Sequence, residues 1–306
     1  MNFSLWLWPY GRWGEIEAMG EASRRAEALG FSSVSVSDHT IVTTGPESDG
    51  LGWEWPDWSV LSTYLALQTS TVRILSCLVI PYRRVLPMAK QIATVDVVSK
   101  GRFTLAAACG WLRPEFGMLQ VEHAARDAIT DEYLRAMKIL WTEERPRFDG
   151  EHISFDDIVF EPKCVQRPHV PIWIAGGTGP RPLRRLLELG DGWMPMGGGL
   201  DSELRDTVAR VREDALAAGR DPDAITFRYT IGIGKANAAL ASISKGIAVG
   251  DPAAVGRPES PEDVAAEVVD FQEAGFSELA INFSGESAGQ VLEQLEWFGA
   301  EVMPLL

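Results

Sequence analysis

The run RILSCLVIPYRRVLPMAKQIATVDVVSKGRFTLAAAC, residues 73–109, decides the predicted fold of this chain. Residues 73–81 are almost all apolar, which is typical of a strand that is buried on both faces. A helical pattern follows over residues 86–99, and a second apolar strand follows over residues 103–109. Strand, helix and strand in this order predict two parallel strands that are joined by a helical crossover.

The same alternation extends outward to both ends of the chain. Eight parallel strands are predicted, at residues 2–8, 33–37, 73–81, 103–109, 172–175, 192–195, 225–233 and 278–283. The main helices are predicted at residues 14–29, 57–69, 86–99, 125–141 and 261–274, with a last helix that ends near Val302. The start of the chain lacks the GxGxxG run of an open dinucleotide-binding sheet. The 306 residues therefore predict one α/β domain over residues 1–306, a (β/α)8 or TIM barrel.

Two stretches interrupt the alternation. Residues 148–155 surround the turn-forming pair Asp149–Gly150 and predict a β-hairpin that is inserted before the fifth strand. Residues 235–258 are rich in Ala, Gly and Ser, and we expect them to form a long loop.

Charge and residue content exclude several classes of function. The net charge of −15 does not suit the phosphates of nucleic acid or an anionic membrane surface. The three cysteines have no CxxC spacing and the four histidines form no HxH or HExxH run, so we expect neither a disulfide framework nor a metal site. No signal peptide and no membrane-length apolar run is found. These features predict a cytoplasmic protein that acts on a small molecule.

Barrel enzymes carry their active sites at the carboxyl ends of the strands. Asp38 and His39 follow the second predicted strand, and His39 is the only histidine at such a position. An imidazole can accept or donate a proton near neutral pH, so His39 and the adjacent Asp38 are the predicted catalytic residues. The structural alternative is an aspartate cap next to an imidazole whose hydrogen bonds are satisfied.

Gly176, Gly177 and Thr178 lie between the fifth predicted strand and a helix. Glycines let successive N–H groups converge, and a helix N-terminus adds partial positive charge, so this turn can bind a phosphate. Three arginines follow on the helix, at Arg181, Arg184 and Arg185. The structural alternative is a tight turn followed by a solvated basic face.

Tryptophans are concentrated in the first part of the chain, which holds seven of the eleven. We predict that several of them line a pocket for a flat ligand. Trp8, Trp53, Trp55 and Trp111 are the predicted apolar wall of the substrate pocket. Core packing alone is the alternative explanation for about half of the tryptophans.

Several motifs together resemble the bacterial-luciferase-like superfamily. They are SDH at residues 37–39, IPYR at 80–83, PMAKQ at 87–91, SKGRF at 99–103, CGWLRPEF at 109–116, FEPKCVQRP at 160–168, PIWIAGG at 171–177 and LGDGW at 189–193. The resemblance covers nearly the whole chain. Within the superfamily, the chain is most similar to the oxidoreductases that depend on coenzyme F-420, a deazaflavin.

The resemblance implies that a deazaflavin or flavin lies at the carboxyl end of the barrel. It places Asp38 and His39 near the reactive ring and the cofactor phosphate at the Gly176–Thr178 turn. It also implies a bulge with a non-prolyl cis peptide near Ser76–Cys77, behind the ring. The complete set of implied cofactor contacts is Asp38, Ser76, Cys77, Gly110, Trp111, Gly176, Gly177 and Thr178. The implied reaction is hydride transfer between coenzyme F-420 and a small organic substrate, with His39 moving the proton.

The chain departs from the pattern of this branch at three positions. Ala106 and Ala108 replace the usual glycines of the fourth strand, and Trp111 stands where some sugar-phosphate dehydrogenases of the branch carry an acid. A monooxygenase that uses reduced FMN and O2 is the alternative activity. A flavin-binding protein without catalysis is the alternative from another class. The family also implies a homodimer.

Overall fold

Eight parallel strands form a closed barrel in the computed structural model, which describes residues 1–45, 48, 51–197, 199–233, 260–283 and 285–306. The barrel strands are β1 (Asn2–Trp6), β2 (Ser33–Ser37), β3 (Arg73–Val79), β4 (Phe103–Ala108), β7 (Ile172–Ala175), β8 (Gly192–Met194), β9 (Thr226–Ile233) and β10 (Glu278–Phe283). Closure is completed by the parallel pairing of β1 with both β10 and β2. The predicted (β/α)8 barrel is confirmed.

Helices surround this barrel. They are α1 (Ile16–Ala28), α2 (Trp58–Gln68), α3 (Val85–Val98), α4 (Arg113–Met118), α5 (Arg126–Thr142), α6 (Pro180–Leu189), α7 (Ser202–Ala217), α8 (Pro261–Glu273) and α9 (Ala288–Trp297). A π-helical turn, Phe298–Val302, continues α9 to the predicted end of the last helix. Side chains on the outer face of each strand pack against these helices and form the main apolar core.

A small antiparallel hairpin precedes β7, as predicted. It consists of β5 (Phe148–Asp149) and β6 (Ser154–Phe155). Glu132 of α5 accepts hydrogen bonds from three backbone N–H groups of the connecting turn, those of Glu151, His152 and Ile153. The carboxylate thus fastens the hairpin to the outside of the barrel. The loop predicted over residues 235–258 lies outside the described residues.

A cluster of charged side chains fills the amino end of the barrel interior. Glu278 accepts hydrogen bonds from Arg73 Nη2 at 2.7 Å and from Ser33 Oγ at 3.1 Å. Its Oε1 also lies 3.2 Å from Nε of Arg228, which is only 2% exposed. Buried charges persist where they are paired in this way. The cluster shows which strand positions point inward, because side chains alternate between the two faces of a strand.

The expected cis peptide near Ser76–Cys77 is wrong. The cis bonds in the described part of the chain all precede prolines, at Pro9, Pro162 and Pro168. Ser76 and Cys77 are instead in register with β2 on one side and β4 on the other. Continuous pairing on both edges keeps β3 regular and without a bulge at this point, and the strand ends at Val79, two residues earlier than predicted.

Candidate functional site

His39 and Glu115 form a buried pair at the carboxyl end of the barrel. His39 follows β2, and its Nδ1 lies 2.5 Å from Oε2 of Glu115. The other carboxylate oxygen accepts the N–H groups of Thr40 at 2.6 Å and Ile41 at 3.2 Å. Glu115 therefore fixes both the imidazole and the backbone that carries it. The described residues offer no hydrogen bond to Nε2, so this nitrogen is available to exchange a proton with a ligand.

Glu115 was not among the predicted site residues. It is fully buried in α4, which begins five residues after β4 ends. Gly110 makes this short connection possible, because it has a φ of 80° and a Cβ there would lie 2.5 Å from Val79 Cγ1. The signal in the sequence was an acidic residue shortly after a strand end, within the CGWLRPEF run.

Asp38 is engaged in an ion pair with Arg83. Both carboxylate oxygens accept from the guanidinium, at 2.5 and 2.7 Å, and Oδ2 also accepts from Val79 N at 3.3 Å. Burial raises the pKa of Asp38, and the charge of Arg83 acts in the opposite direction. The two-pronged contact joins the end of β2 to the turn after β3. The ion pair holds the Asp38 side chain in place next to His39, and no role was predicted for Arg83.

The predicted tryptophan wall is only partly assembled around His39. The Trp55 ring meets the imidazole edge-on at 4.6 Å, and the Trp111 ring lies 6.3 Å away. Trp8 is buried behind them, where it stacks on Trp55 at 6.4 Å and donates to the Leu51 carbonyl. Trp53 is 66% exposed and extends into solvent. Trp6, which was not assigned to the wall, is half-buried beside Trp8.

Ser76 and Cys77 face opposite sides of β3. The hydroxyl of Ser76 bonds Ser62 Oγ of α2 at 2.8 Å, so this side chain points away from the barrel interior. Cys77 is half-buried and packs with the inner apolar cluster that includes Ala108. Burial raises the pKa of the Cys77 thiol to about 12, so the thiol is protonated at neutral pH. Only Cys77 of this pair has its side chain on the inner side of the strand.

The Gly176 turn leads from β7 into α6. Gly176 N donates to Met194 O at 3.2 Å, whereas residues 177–179 have no backbone acceptor for their N–H groups in the described part of the chain. A Cβ at Gly177 or Gly179 would meet nothing within 4 Å. One carboxylate is nearby, because Thr178 Oγ1 donates to Glu203 Oε1 at 2.8 Å.

The arginines after this turn differ in exposure. Arg185 is 1% exposed and bonds Asp131, Asp127 and the sulfur of Cys109. Arg184 also pairs with Asp131, at 2.6 Å. The alternative of a solvated basic face is therefore wrong for Arg185, which joins α6 to α5 and to the end of β4. Arg181 is 73% exposed in the first turn of α6 and lies 3.5 Å from Asp127.

The described residues contain no group of three or more His, Cys, Asp or Glu side chains that is placed to hold a metal ion. None of the helices described has the length and apolar character to cross a membrane.

The family model of the luciferase-like monooxygenases matches residues 7–234. This match includes His39, Glu115 and the Gly176 turn. The chain therefore belongs to the luciferase-like monooxygenase family, as its motifs predicted.

Known relatives and solved structures agree with this assignment. The chain is 28% identical over 317 residues to a coenzyme F-420-dependent glucose-6-phosphate dehydrogenase of Kineococcus radiotolerans, covering 92% of this chain and 90% of the relative. It is 31% identical over 170 residues to an FMNH2-dependent dimethylsulfone monooxygenase of Pseudomonas putida, covering 55% and 46%. A monooxygenase structure from Streptomyces bottropensis has a TM-score of 0.80 at 22% identity, covering 99% of both chains. The relatives support the class of luciferase-like oxidoreductase, and their names divide between two cofactors.

Proposed function

We propose that this protein is a coenzyme F-420-dependent oxidoreductase that transfers a hydride to or from a small organic substrate. The observation that carries the proposal is the buried His39–Glu115 pair at the carboxyl end of the barrel. When bound there, the deazaflavin supplies the hydride chemistry, and the protein supplies position and proton transfer.

His39 is the proposed catalytic residue. The Glu115 carboxylate accepts the Nδ1 hydrogen, which leaves Nε2 as the atom that takes up or gives the substrate proton. A carboxylate at this distance also stabilises the imidazolium form while the proton is held. The rings of Trp55 and Trp111 lie 4.6 and 6.3 Å from the imidazole, and apolar surroundings of this kind strengthen both effects.

The cofactor phosphate is assigned to the N–H groups of residues 177–179, since they precede the helix α6 and have no described backbone acceptor. The ring is assigned to the inner side of β3 and β4, beside Cys77, Ala108, Gly110 and Trp111. Ala108 and Cys77 are small side chains that leave room at this position. The residues present therefore fit a phosphorylated flavin or deazaflavin.

A monooxygenase that uses reduced FMN and O2 is the second candidate, and it is favoured by the similarity to the dimethylsulfone monooxygenase. The greater extent of the match to the F-420-dependent dehydrogenase supports the first candidate. Parallel fluorescence titrations with coenzyme F-420 and with FMN separate the two. We expect F-420 to bind more tightly, and FMN binding that is tighter by tenfold or more would overturn the proposal.

His39→Ala tests the catalytic role against a flavin-binding protein without catalysis. Turnover should fall by ~10²–10⁴-fold, because a positioned acid or base contributes that much. Cofactor affinity should stay within about threefold, and His152→Ala, in the hairpin turn, is the matched control. Equal turnover in wild type and His39→Ala would leave His39 with a structural role only.

We also propose a cytoplasmic homodimer. The three cysteines are free, which is typical of a reducing compartment.

On α2, Val60 and Leu67 are 64% and 68% exposed, and an exposed apolar stripe of this kind is typical of an interface. Light scattering should give twice the chain mass of 33.6 kDa, and a monomer at micromolar concentration would contradict the dimer.

A further inference from the structure

Arg12 is a partly buried cation at the carboxyl end of the barrel whose described acceptors are all neutral. It lies in the 3-10 turn Tyr10–Trp13 that follows β1. Its Nη1 donates to Phe283 O at 2.6 Å, and its Nη2 lies 3.3 Å from both Trp8 O and Asn282 Oδ1. Its Nε is buried without a hydrogen-bond partner.

The charges of other buried arginines in the described chain are compensated by carboxylates or by a full set of hydrogen-bond acceptors. Arg83 pairs with Asp38, Arg185 with Asp127 and Asp131, and Arg228 with Glu278. Arg102 lacks a carboxylate, but each of its three nitrogens has an acceptor.

Arg12 has neither kind of compensation in the described ranges. Burial lowers its pKa to about 10, which is the effect expected of a charge that lacks an opposite partner. The carboxylate of Glu54 lies over Gly11, yet it forms no ion pair with the guanidinium. An anion beside Arg12 would therefore restore a missing interaction.

Arg12 and His39 both lie at the carboxyl end of the barrel, after β1 and β2. Asn282 lies four residues after Glu278 on β10, so both side chains point into the barrel. The contact with Asn282 Oδ1 therefore places the Arg12 guanidinium at the inner rim. Only β1 lies between β10 and β2, whose end carries His39. The ends of β10 and β2 are thus two strand spacings apart, a distance of roughly 10 Å. Trp6 of β1 lies between them, with its Nε1 bonded to Ser37 Oγ at 2.8 Å.

We propose that Arg12 binds the carboxylate of the substrate, which makes the substrate a small organic acid with a flat or apolar body. A guanidinium forms strong charge-assisted hydrogen bonds with a carboxylate, and the Nε–H of Arg12 has no partner in the described residues. The apolar body would lie along Trp6, with its reacting carbon toward His39. The inference rests on the proposed function, because it places the substrate at the same strand ends. It assigns Arg12 as a binding residue that sets substrate class.

The test compares two probes of equal length, 3-phenylpropanoate and 3-phenylpropan-1-ol, by calorimetric titration of the full chain without added cofactor. Wild type should bind the carboxylate about tenfold more tightly or better, the scale of a hydrogen bond to a charged group. Arg12→Gln should bring the two affinities within about twofold, and Arg12→Lys should keep an intermediate preference. Arg210→Gln removes the same charge from the exposed side of α7 and should keep the full preference.

Two outcomes would overturn the assignment. One is that the wild type binds the carboxylate no more tightly than the alcohol, or binds neither probe. The other is that folded Arg12→Gln keeps the preference for the carboxylate. Circular dichroism checks that each variant folds. If Arg12→Gln does not fold, Arg12→Lys takes its place, and an undiminished preference for the carboxylate in Arg12→Lys would overturn the assignment. Cofactor titrations are separate, so loss of F-420 binding in wild type would count against the proposed function alone.

Discussion

Glu115 contacts Nδ1 of His39 through one carboxylate oxygen and the two following backbone N–H groups through the other. The two side chains are 76 positions apart in the sequence. Glu115 is fully buried, and its carboxylate holds both the imidazole of His39 and the backbone that follows it. The first prediction concerns the charge of this carboxylate.

Glu115→Gln keeps the shape of the side chain and removes its charge. We expect turnover to fall by about 10²-fold, since an imidazolium at His39 loses its stabilising partner. Cofactor affinity should change by less than about threefold. Steady-state kinetics and F-420 titration of the same preparation measure both quantities. A fall in affinity as large as the fall in turnover would show that Glu115 holds the cofactor site together and has no specific role in proton transfer.

Asp38→Ala addresses the ion pair with Arg83. The side chain of Arg83 is 18% exposed and that of Asp38 is 1% exposed, so the change leaves a largely buried cation unpaired. The free energy of unfolding should fall by about 3 kcal/mol. Double substitution with Arg83→Met should recover part of this loss, because the unpaired charge is then removed. Urea denaturation measures all three proteins, and a loss under 1 kcal/mol for Asp38→Ala would contradict the argument.

Gly177→Val tests the phosphate site. A Cβ at this glycine would meet nothing within 4 Å, so the fold has room for the new side chain. The valine should instead block the approach of phosphate to the backbone N–H groups, which must come within ~3 Å of the oxygens. We expect F-420 to bind tenfold more weakly or worse, and a deazaflavin fragment without phosphate to bind nearly as before. Equal losses for both ligands in a folded protein would place the phosphate elsewhere.

Glu203→Gln should have the opposite effect at the same turn. The carboxylate that accepts from Thr178 is exposed and repels an anion at residues 177–179. Its removal should tighten binding of the phosphorylated cofactor by about two- to fivefold at low salt, and by less at 0.5 M salt because exposed charges are screened. Glu213→Gln, farther along α7, is the control. Weaker binding in Glu203→Gln would mean that the Thr178–Glu203 bond shapes the turn.

The sequence predicted the barrel because each strand and helix has its own local hydrophobic periodicity, and their alternation along the chain is typical of this fold. Local periodicity did not predict the structure at four single residues, Trp53, Trp55, Arg83 and Glu115, nor at residues 76–77. Trp53 and Trp55 stand two positions apart in a loop without periodicity, so local pattern could not tell the exposed ring from the one against His39. Arg83 and Glu115 acquire their roles through contacts between different βα units.

The backbone bonds from Thr40 and Ile41 to Glu115 have a consequence for how such barrels diversify. They anchor the start of the segment after β2, so the imidazole is fixed before the chain reaches residue 42. We therefore expect exchange of residues 42–45 for those of a related barrel to leave the contact between His39 and Glu115 intact. A chimera made across this boundary should keep the proposed acid–base pair of the host.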